Sequence, residues 1–317
     1  MYEINLILLP VPANIKDQEY LRRPTSSADW WPDPNSHVLS SRDLARATQG
    51  TWMGVTSEGK VAVLTNYREK SSDQATGVHS RGTIVNSWLT MPPGRNQSTR
   101  DFVQSLVSSD SLNTVGGFSL VCGYVTEPLA IVSNRSSDME HIPWVATGKG
   151  QTRGLSNTSF CDRSWPKILD GERLMEEAIN AHAEANADES ALIDRLLQVL
   201  STDTLPRLPE HEPAEKSIHL LRNSIFIPVI GAKEKRDRAA DEIAAACVDD
   251  KIGVDDKTDG GLDQSYMTGA YGTQKQTVLL LRPDGRVRYF ERTLYDNNVN
   301  PIPIGKGDRS FEFAVGR

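Results

Sequence analysis

Apolar and β-branched residues gather into short runs along most of this chain, and two such runs stand back to back near its start. Gly50-Thr51-Trp52-Met53-Gly54-Val55 and Lys60-Val61-Ala62-Val63-Leu64-Thr65-Asn66-Tyr67 have the content of buried strands, and Ser57-Glu58-Gly59 between them predicts a tight hairpin connection. Further runs predict strands at Ile4–Leu9, Phe118–Tyr124, Leu129–Ser133, Asn223–Ile230, Thr277–Leu281, Val287–Arg292 and Phe311–Val315, with Pro283-Asp284-Gly285 as a turn. Helical spacing replaces alternation at Ser80–Leu89, where Ile84, Val85, Trp88 and Leu89 recur, and at Thr99–Val107. The clearest helices are Arg173–Ala185, with Leu174, Ala178 and Ile179 on one stripe, and Asp188–Leu200, with Leu192, Leu196, Leu197 and Leu200. Asn186-Ala187-Asp188 caps and joins them. Those leucine stripes read as core packing.

Strands in several groups with helices collected in the middle predict an α+β layered fold. The reading is one domain, 1–317, with two polar interruptions. Residues 203–216 are polar and Pro-rich, which suits an exposed connector. Residues 231–269 are charged, acidic and Gly-punctuated, and read as a mobile insertion with one short Ala-rich helix near Ala239–Cys247. The acidic pairs Asp249-Asp250 and Asp255-Asp256 lack the alternating ligand spacing of a calcium loop. No internal repeat is visible.

Composition narrows the function classes. A net charge of −7 and a pI near 5.5 argue against a broad nucleic-acid footprint and against adhesion to an anionic membrane surface. Cys122, Cys161 and Cys247 are odd in number and widely spaced, which indicates neither a disulfide framework nor a zinc site and points to a reducing, cytoplasmic compartment. Glu3 precedes the short run Leu6–Leu9, so the start reads as a strand and not as a secretory signal. No segment has the length and apolarity of a transmembrane helix. The six histidines form no HxxxH pair, and no Gly-x-Ser-x-Gly elbow, phosphate-binding loop or dinucleotide fingerprint is present.

A set of short motifs carries a family resemblance. In order they are Arg23-Pro24-Thr25, Ala28-Asp29-Trp30-Trp31, Gly50-Thr51-Trp52-Met53-Gly54, Leu64-Thr65-Asn66-Tyr67-Arg68-Glu69, Gly117-Phe118-Ser119-Leu120, Gly154-Leu155-Ser156-Asn157, Tyr271-Gly272-Thr273-Gln274-Lys275-Gln276-Thr277, and Gly285-Arg286-Val287 through Phe290-Glu291-Arg292. Each is weak alone; in this order they resemble the NRDE family over most of the chain. The resemblance implies a four-layer αββα sandwich related to N-terminal-nucleophile hydrolases. It also implies a part in Golgi organisation and protein secretion, association with Golgi or mitochondria, and haem or acyl-lipid as ligand. Nothing in the composition marks either ligand, and no axial residue for haem stands out.

The same resemblance identifies what has changed. An N-terminal nucleophile is the first residue of the mature chain, where its own α-amine takes the side-chain proton. Members of the family typically begin Met-Cys; here the second residue is Tyr2, too bulky for ordinary methionine removal and with the wrong reach. The Asn-Arg-Asp-Glu tetrad is replaced by Lys16-Asp17-Gln18-Glu19, in which Glu19 alone agrees. Residues 1–16 therefore read as a diverged or mispredicted start on a preserved body. Two functions follow from the resemblance: binding or trafficking of a small molecule without hydrolysis, or, if the true start is Met-Cys, an amide or thioester hydrolase.

The remaining pocket candidates are Asn66, Tyr67, Asn157, Gln274, Trp52 and Glu19. Asn66, at a strand end before Tyr67, is placed where its amide can face a pocket. By resemblance, Asn66 and Asn157 correspond to amides that stabilise an oxyanion and orient substrate. Either can equally be a strand-end or turn residue bonding local backbone. Gln274 stands where many relatives have Arg, and offers hydrogen bonds without charge. Trp30, Trp31 and Trp52 either line an apolar site or pack in the core.

Overall fold

Every residue from Lys60 to Asn66 is buried. A strand with no solvent-facing side requires a sheet covered on both faces, which is why its middle, Val61–Leu64, is an unbroken apolar run. The computed structural model describes residues 7–8, 24–45, 47–68, 79–93, 97–109, 112, 114–135, 141–207, 219–230 and 271–315. Its elements are β1 (Ile7–Leu8), β2 (Asp29–Trp30), β3 (Val38–Ser40), β4 (Met53–Thr56), β5 (Lys60–Asn66), α1 (Gly82–Leu89), α2 (Thr99–Val107), β6 (Phe118–Tyr124), β7 (Leu129–Ser133), β8 (Trp144–Val145), β9 (Gly154–Leu155), α3 (Pro166–Ala185), α4 (Glu189–Leu200), β10 (Lys275–Leu281), β11 (Arg286–Thr293) and β12 (Asp308–Ala314).

Strands β2 to β8 form a seven-stranded sheet in sequence order, each antiparallel to the next, with β5 at its centre. On one face Ala62, Leu64, Leu120 and Cys122 pack against Trp88 of α1 and Phe102 and Val103 of α2. On the other, Leu39, Met53, Val55 and Val63 meet Tyr289, Leu279, Phe311 and Phe313 of the three-stranded antiparallel sheet β10-β11-β12. Alternation along β10 turns Val278 and Leu280 to that small sheet's far side, where they meet Ile168, Met175, Leu192 and Leu196 of α3 and α4. The protein is α+β, with antiparallel sheets and helices on their outer faces.

Local chemistry explains the joints. The β4–β5 hairpin turns at Gly59, whose φ of +88° favours glycine; its N–H donates to the Thr56 carbonyl at 2.9 Å, while the Thr56 hydroxyl accepts from Lys60 N at 3.1 Å. Helix α2 opens on a capping box, in which the Ser98 hydroxyl accepts from Asp101 N and the Asp101 carboxylate accepts from Ser98 N. Helix α3 starts with Pro166, whose fixed φ suits a first turn, and stops at Asn186 in the left-handed region with φ 45°. Asp188 then caps α4 by accepting from Ala191 N at 2.9 Å.

Several sequence expectations are corrected here. Asn223–Ile230 is not a strand: Ile230 makes an isolated bridge to Tyr271, Ile227 N donates to the Thr273 hydroxyl, and the Ser224 hydroxyl donates to the Phe226 carbonyl. Scattered partners, not one neighbouring strand, satisfy this backbone, Phe226 N donating to Thr202 O and Thr273 N to Ile227 O, and Pro228 has no N–H for a ladder. Helix α3 begins before the expected Arg173, and β2, β3, β8 and β9 are too short to leave a periodic signal. Of the expected Ile4–Leu9 strand, Ile7–Leu8 pairs in parallel with Gly154–Leu155. Trp31 belongs to the helix-covered core, its ring N–H donating to Ser40 Oγ at 2.8 Å, and Trp30 packs edge-on against Phe313 with centroids 5.1 Å apart. The expected connector is described only over 203–207, where Thr204 N donates to Ser224 Oγ. The expected insertion at 231–269, Tyr2 and Glu19 lie outside the described residues.

Gly50 and Gly82 fix how α1 meets the big sheet. A Cβ on Gly82 would stand 2.9 Å from Gly50 Cα and 3.1 Å from Thr51 N, both backbone atoms. Gly82→Ala is therefore expected to lower stability by about 1–3 kcal/mol through overpacking, read from urea midpoints. A midpoint equal to or above the parent's would show that the two backbones can separate without cost, as helix propensity alone favours alanine.

Candidate functional site

The centre strand β5 ends at Asn66, and the chain beyond it runs beside the segment that follows β9. The buried Thr65 hydroxyl donates to the Ser156 carbonyl at 3.0 Å, and Arg68 N donates to the Asn157 carbonyl at 2.8 Å. Tyr67 N donates to Gly117 O, extending the β5–β6 ladder by one more bond. The other side of the 154–158 segment is held by α3: Gly154 N donates to Glu172 Oε1 at 2.7 Å, and a Cβ on Gly154 would lie 3.1 Å from the Ile168 carbonyl. Ser119 Oγ donates to Thr158 O at 3.1 Å. This corner joins β5, β6, β9 and the first turns of α3.

A buried lysine sits in that first turn. Lys167 is 1% exposed, its backbone N–H donates to Arg222 O at 3.3 Å, and its ammonium lies 5.3 Å from the centroid of the Trp165 ring. Among the described residues no carboxylate or carbonyl accepts from it. Burial first, and the positive Arg68 guanidinium second, depress its pKa to about 7. Arg68 also acts on Tyr271, whose buried phenol is pushed above its ordinary value by burial, with Arg68 opposing. Arg68, Lys167 and Tyr271 thus share one electrostatic environment at the corner.

The sequence candidates divide. Asn66, Tyr67 and Asn157 are brought to the corner through the backbone bonds of their neighbours. The Asn66 carboxamide makes no hydrogen bond among the described residues although the residue is buried, so no local-backbone bond accounts for it. Asn157 Oδ1 accepts a long 3.5 Å contact from the Ser156 hydroxyl. Gln274 is engaged elsewhere: its Oε1 accepts from Thr25 Oγ1 at 3.1 Å, and its Nε2 donates to Tyr295 O and Asn297 Oδ1 at 3.4 Å. Trp52 packs between the sheets beside Leu39, Met53 and Tyr289. Cys122 is sealed in the core, where burial pushes its thiol up to about 12. Sequence reasoning missed Lys167; the signal was Trp165-Pro166, which marks a helix start and makes the next charged residue a first-turn residue beside a large ring. Among the described residues, no three His, Cys, Asp or Glu side chains are grouped to hold a metal, and no helix is long and apolar enough to cross a membrane.

The family model described as Transport and Golgi organisation 2 matches residues 13–296, a span that includes every residue of the corner. The chain belongs to this family. The NRDE resemblance of the motifs is thereby established. Among curated relatives of this Transport and Golgi organisation 2 member, the Transport and Golgi organization protein 2 homolog of Bos taurus is 27% identical over 278 residues, covering 87% of this chain and 83% of the relative. The homolog of Homo sapiens is 26% identical over 303 residues, 94% of this chain and 90% of the relative. An uncharacterized protein of Saccharomyces cerevisiae is 23% identical over 321 residues, 94% and 93% respectively.

Lys167 gives the family member a measurable pH signature. Its folded pKa lies below the unfolded value, so between about pH 7 and pH 10 the unfolded chain holds a proton that the folded chain does not. Stability from this group therefore rises with pH across that window, by up to about 1.4 kcal/mol per unit, and is constant below it. Lys167→Met is expected to be more stable than the parent at pH 7, with the gap closing by about 1–2 kcal/mol at pH 9, measured by urea unfolding at both values. A gap independent of pH would mean that the ammonium stays charged in the fold.

Proposed function

We propose that this chain holds an acyl-lipid at the corner formed by Asn66, Arg68, Asn157, Lys167 and Tyr271, and acts through that binding in Golgi organisation and protein secretion. The observation that carries the reading is the buried Lys167 in the first turn of α3, whose ammonium has no acceptor among the described residues: a cation in a desolvated place suits the polar end of a lipid better than it suits a core. The Asn66 carboxamide, which makes no hydrogen bond among the described residues, adds a donor for a carbonyl oxygen. The names of the relatives supply the Golgi role, and peripheral association with Golgi or mitochondrial membranes belongs to the same proposal.

Haem fits the corner poorly. Tyr271 is the buried phenol there, and burial disfavours the phenolate that iron takes. His37 bonds the Leu89 carbonyl, and His182 lies in the last turn of α3. The layer order of helices, seven-stranded sheet, three-stranded sheet and helices supports a four-layer αββα sandwich of the N-terminal-nucleophile type. The chemistry of that class uses a Cys, Ser or Thr at the start of the mature chain, so an amide or thioester hydrolase is the second reading, for a mature chain that starts at a cysteine.

The test is extraction of small molecules from the full chain purified under native conditions, followed by mass analysis. An acyl-lipid present at close to one per chain is the expected result. Haem in its place, or only trace lipid that washing removes, would contradict the reading.

A further inference from the structure

The return from β11 to β12 carries an apolar apex where a turn ordinarily carries polar residues. It includes Asn300-Pro301-Ile302-Pro303-Ile304-Gly305-Lys306, in which Pro301, Pro303 and Ile304 are exposed, Ile304 by 70%. A lone exposed apolar side chain needs no explanation, but this one is held outward by a built support. Lys306 N donates to Pro303 O at 2.9 Å and Gly305 takes φ 88°. Ile304 is thus the second residue of a tight turn whose third position needs glycine. Pro301 and Pro303 fix φ on either side of Ile302, whose N–H donates to Leu294 O at 2.8 Å. The rest of the loop closes on Asp296, whose carboxylate accepts from Asn298 N and Asn300 N at 2.8 Å. Asn297 ties it to the body of the fold, Oδ1 accepting from Thr25 N at 3.0 Å. The apex is set before any partner arrives, so docking it costs little ordering.

Charge and size decide the partner. Lys306 and Arg309 are exposed beside the apex, while the neighbouring carboxylates are engaged, Asp308 with Arg292 at 2.7 Å and Asp296 within its own turn. Three exposed apolar residues on one turn fall well short of the roughly 800 Å² per partner of a stable protein interface. A lipid surface needs only a short apolar wedge with cations at its rim. We propose, on the reading of peripheral membrane association above and whatever the corner holds, that the 300–307 loop is the docking tip. Pro301, Pro303 and Ile304 enter the interfacial layer of a bilayer, and Lys306 and Arg309 meet its phosphates. A chain of net charge −7 gains little from long-range attraction to such a surface, so apolar insertion supplies the binding.

Co-sedimentation of the full chain with phosphatidylcholine vesicles, at low and at high salt, tests this. The parent is expected to bind at both salt levels, because inserted apolar groups are not screened. Ile304→Asp is expected to bind about tenfold or more weaker, and Ile304→Trp at least as tightly as the parent. Leu169→Asp, at an exposed position of α3, is expected to bind like the parent. Thermal unfolding of each variant controls for folding. Ile304→Asp binding like the parent, Leu169→Asp losing as much as Ile304→Asp, or parent binding that high salt abolishes overturns the tip and leaves peripheral association standing. Failure of the parent to bind vesicles overturns both, and leaves the acyl-lipid in the corner to the extraction experiment.

Discussion

Two hydrogen bonds hold the candidate site together: the Thr65 hydroxyl on the Ser156 carbonyl and the Arg68 amide on the Asn157 carbonyl. Each is worth only about 0.5–1.5 kcal/mol net, yet both bind groups that are costly to leave unsatisfied when buried. They clamp the 154–158 segment to the end of the centre strand. Without them Arg68 has no fixed relation to α3, and Lys167 no fixed relation to Arg68. The glycine at 154 is part of the same constraint, because a Cβ there would press on the Ile168 carbonyl at 3.1 Å and push the segment off α3.

A second tie sets the small sheet beside the large one. Glu291 is a buried carboxylate that accepts from Lys275 Nζ at 2.9 Å, from Ala28 N at 2.9 Å and from the Ser41 hydroxyl. Nearby, Asn297 Oδ1 accepts from Thr25 N at 3.0 Å, and Gln274 bridges Thr25 to the 295–297 turn. A buried ion pair contributes little net stability, but one with its oxygens fully engaged specifies a single arrangement. This is how Thr25 and Gln274, 249 positions apart in sequence and each inside a family motif, share one physical role. Gln274, uncharged as its sequence position indicated, serves there as a hydrogen-bonding tie.

Much of the architecture was legible because its signals are local. The β4–β5 hairpin announced itself by composition and Gly59, and α2, α4 and the Asn186 stop by caps and stripes. The short strands β2, β3, β8 and β9 were not legible, since two or three residues carry no period and depend on partners distant in sequence. Asn223–Ile230 misled because an apolar run bounded by polar residues looks the same whether one neighbouring strand or scattered loop partners satisfy it. Of the site, Asn66 and Asn157 could be picked out as motif residues; at Lys167 the Trp165-Pro166 pair marks only a helix start, and the burial of its ammonium depends on packing between distant segments that no spacing encodes.

The account's central claim is that an acyl chain is held where β5, the 154–158 segment and α3 meet. Photo-crosslinking with a diazirine-bearing fatty acid, followed by peptide mapping of the full chain, tests it most directly. Label is expected on peptides spanning 64–68, 154–168 and 271–274, competed away by unlabelled fatty acid. Competable label confined to other parts of the chain, with these three peptides clean, would contradict it.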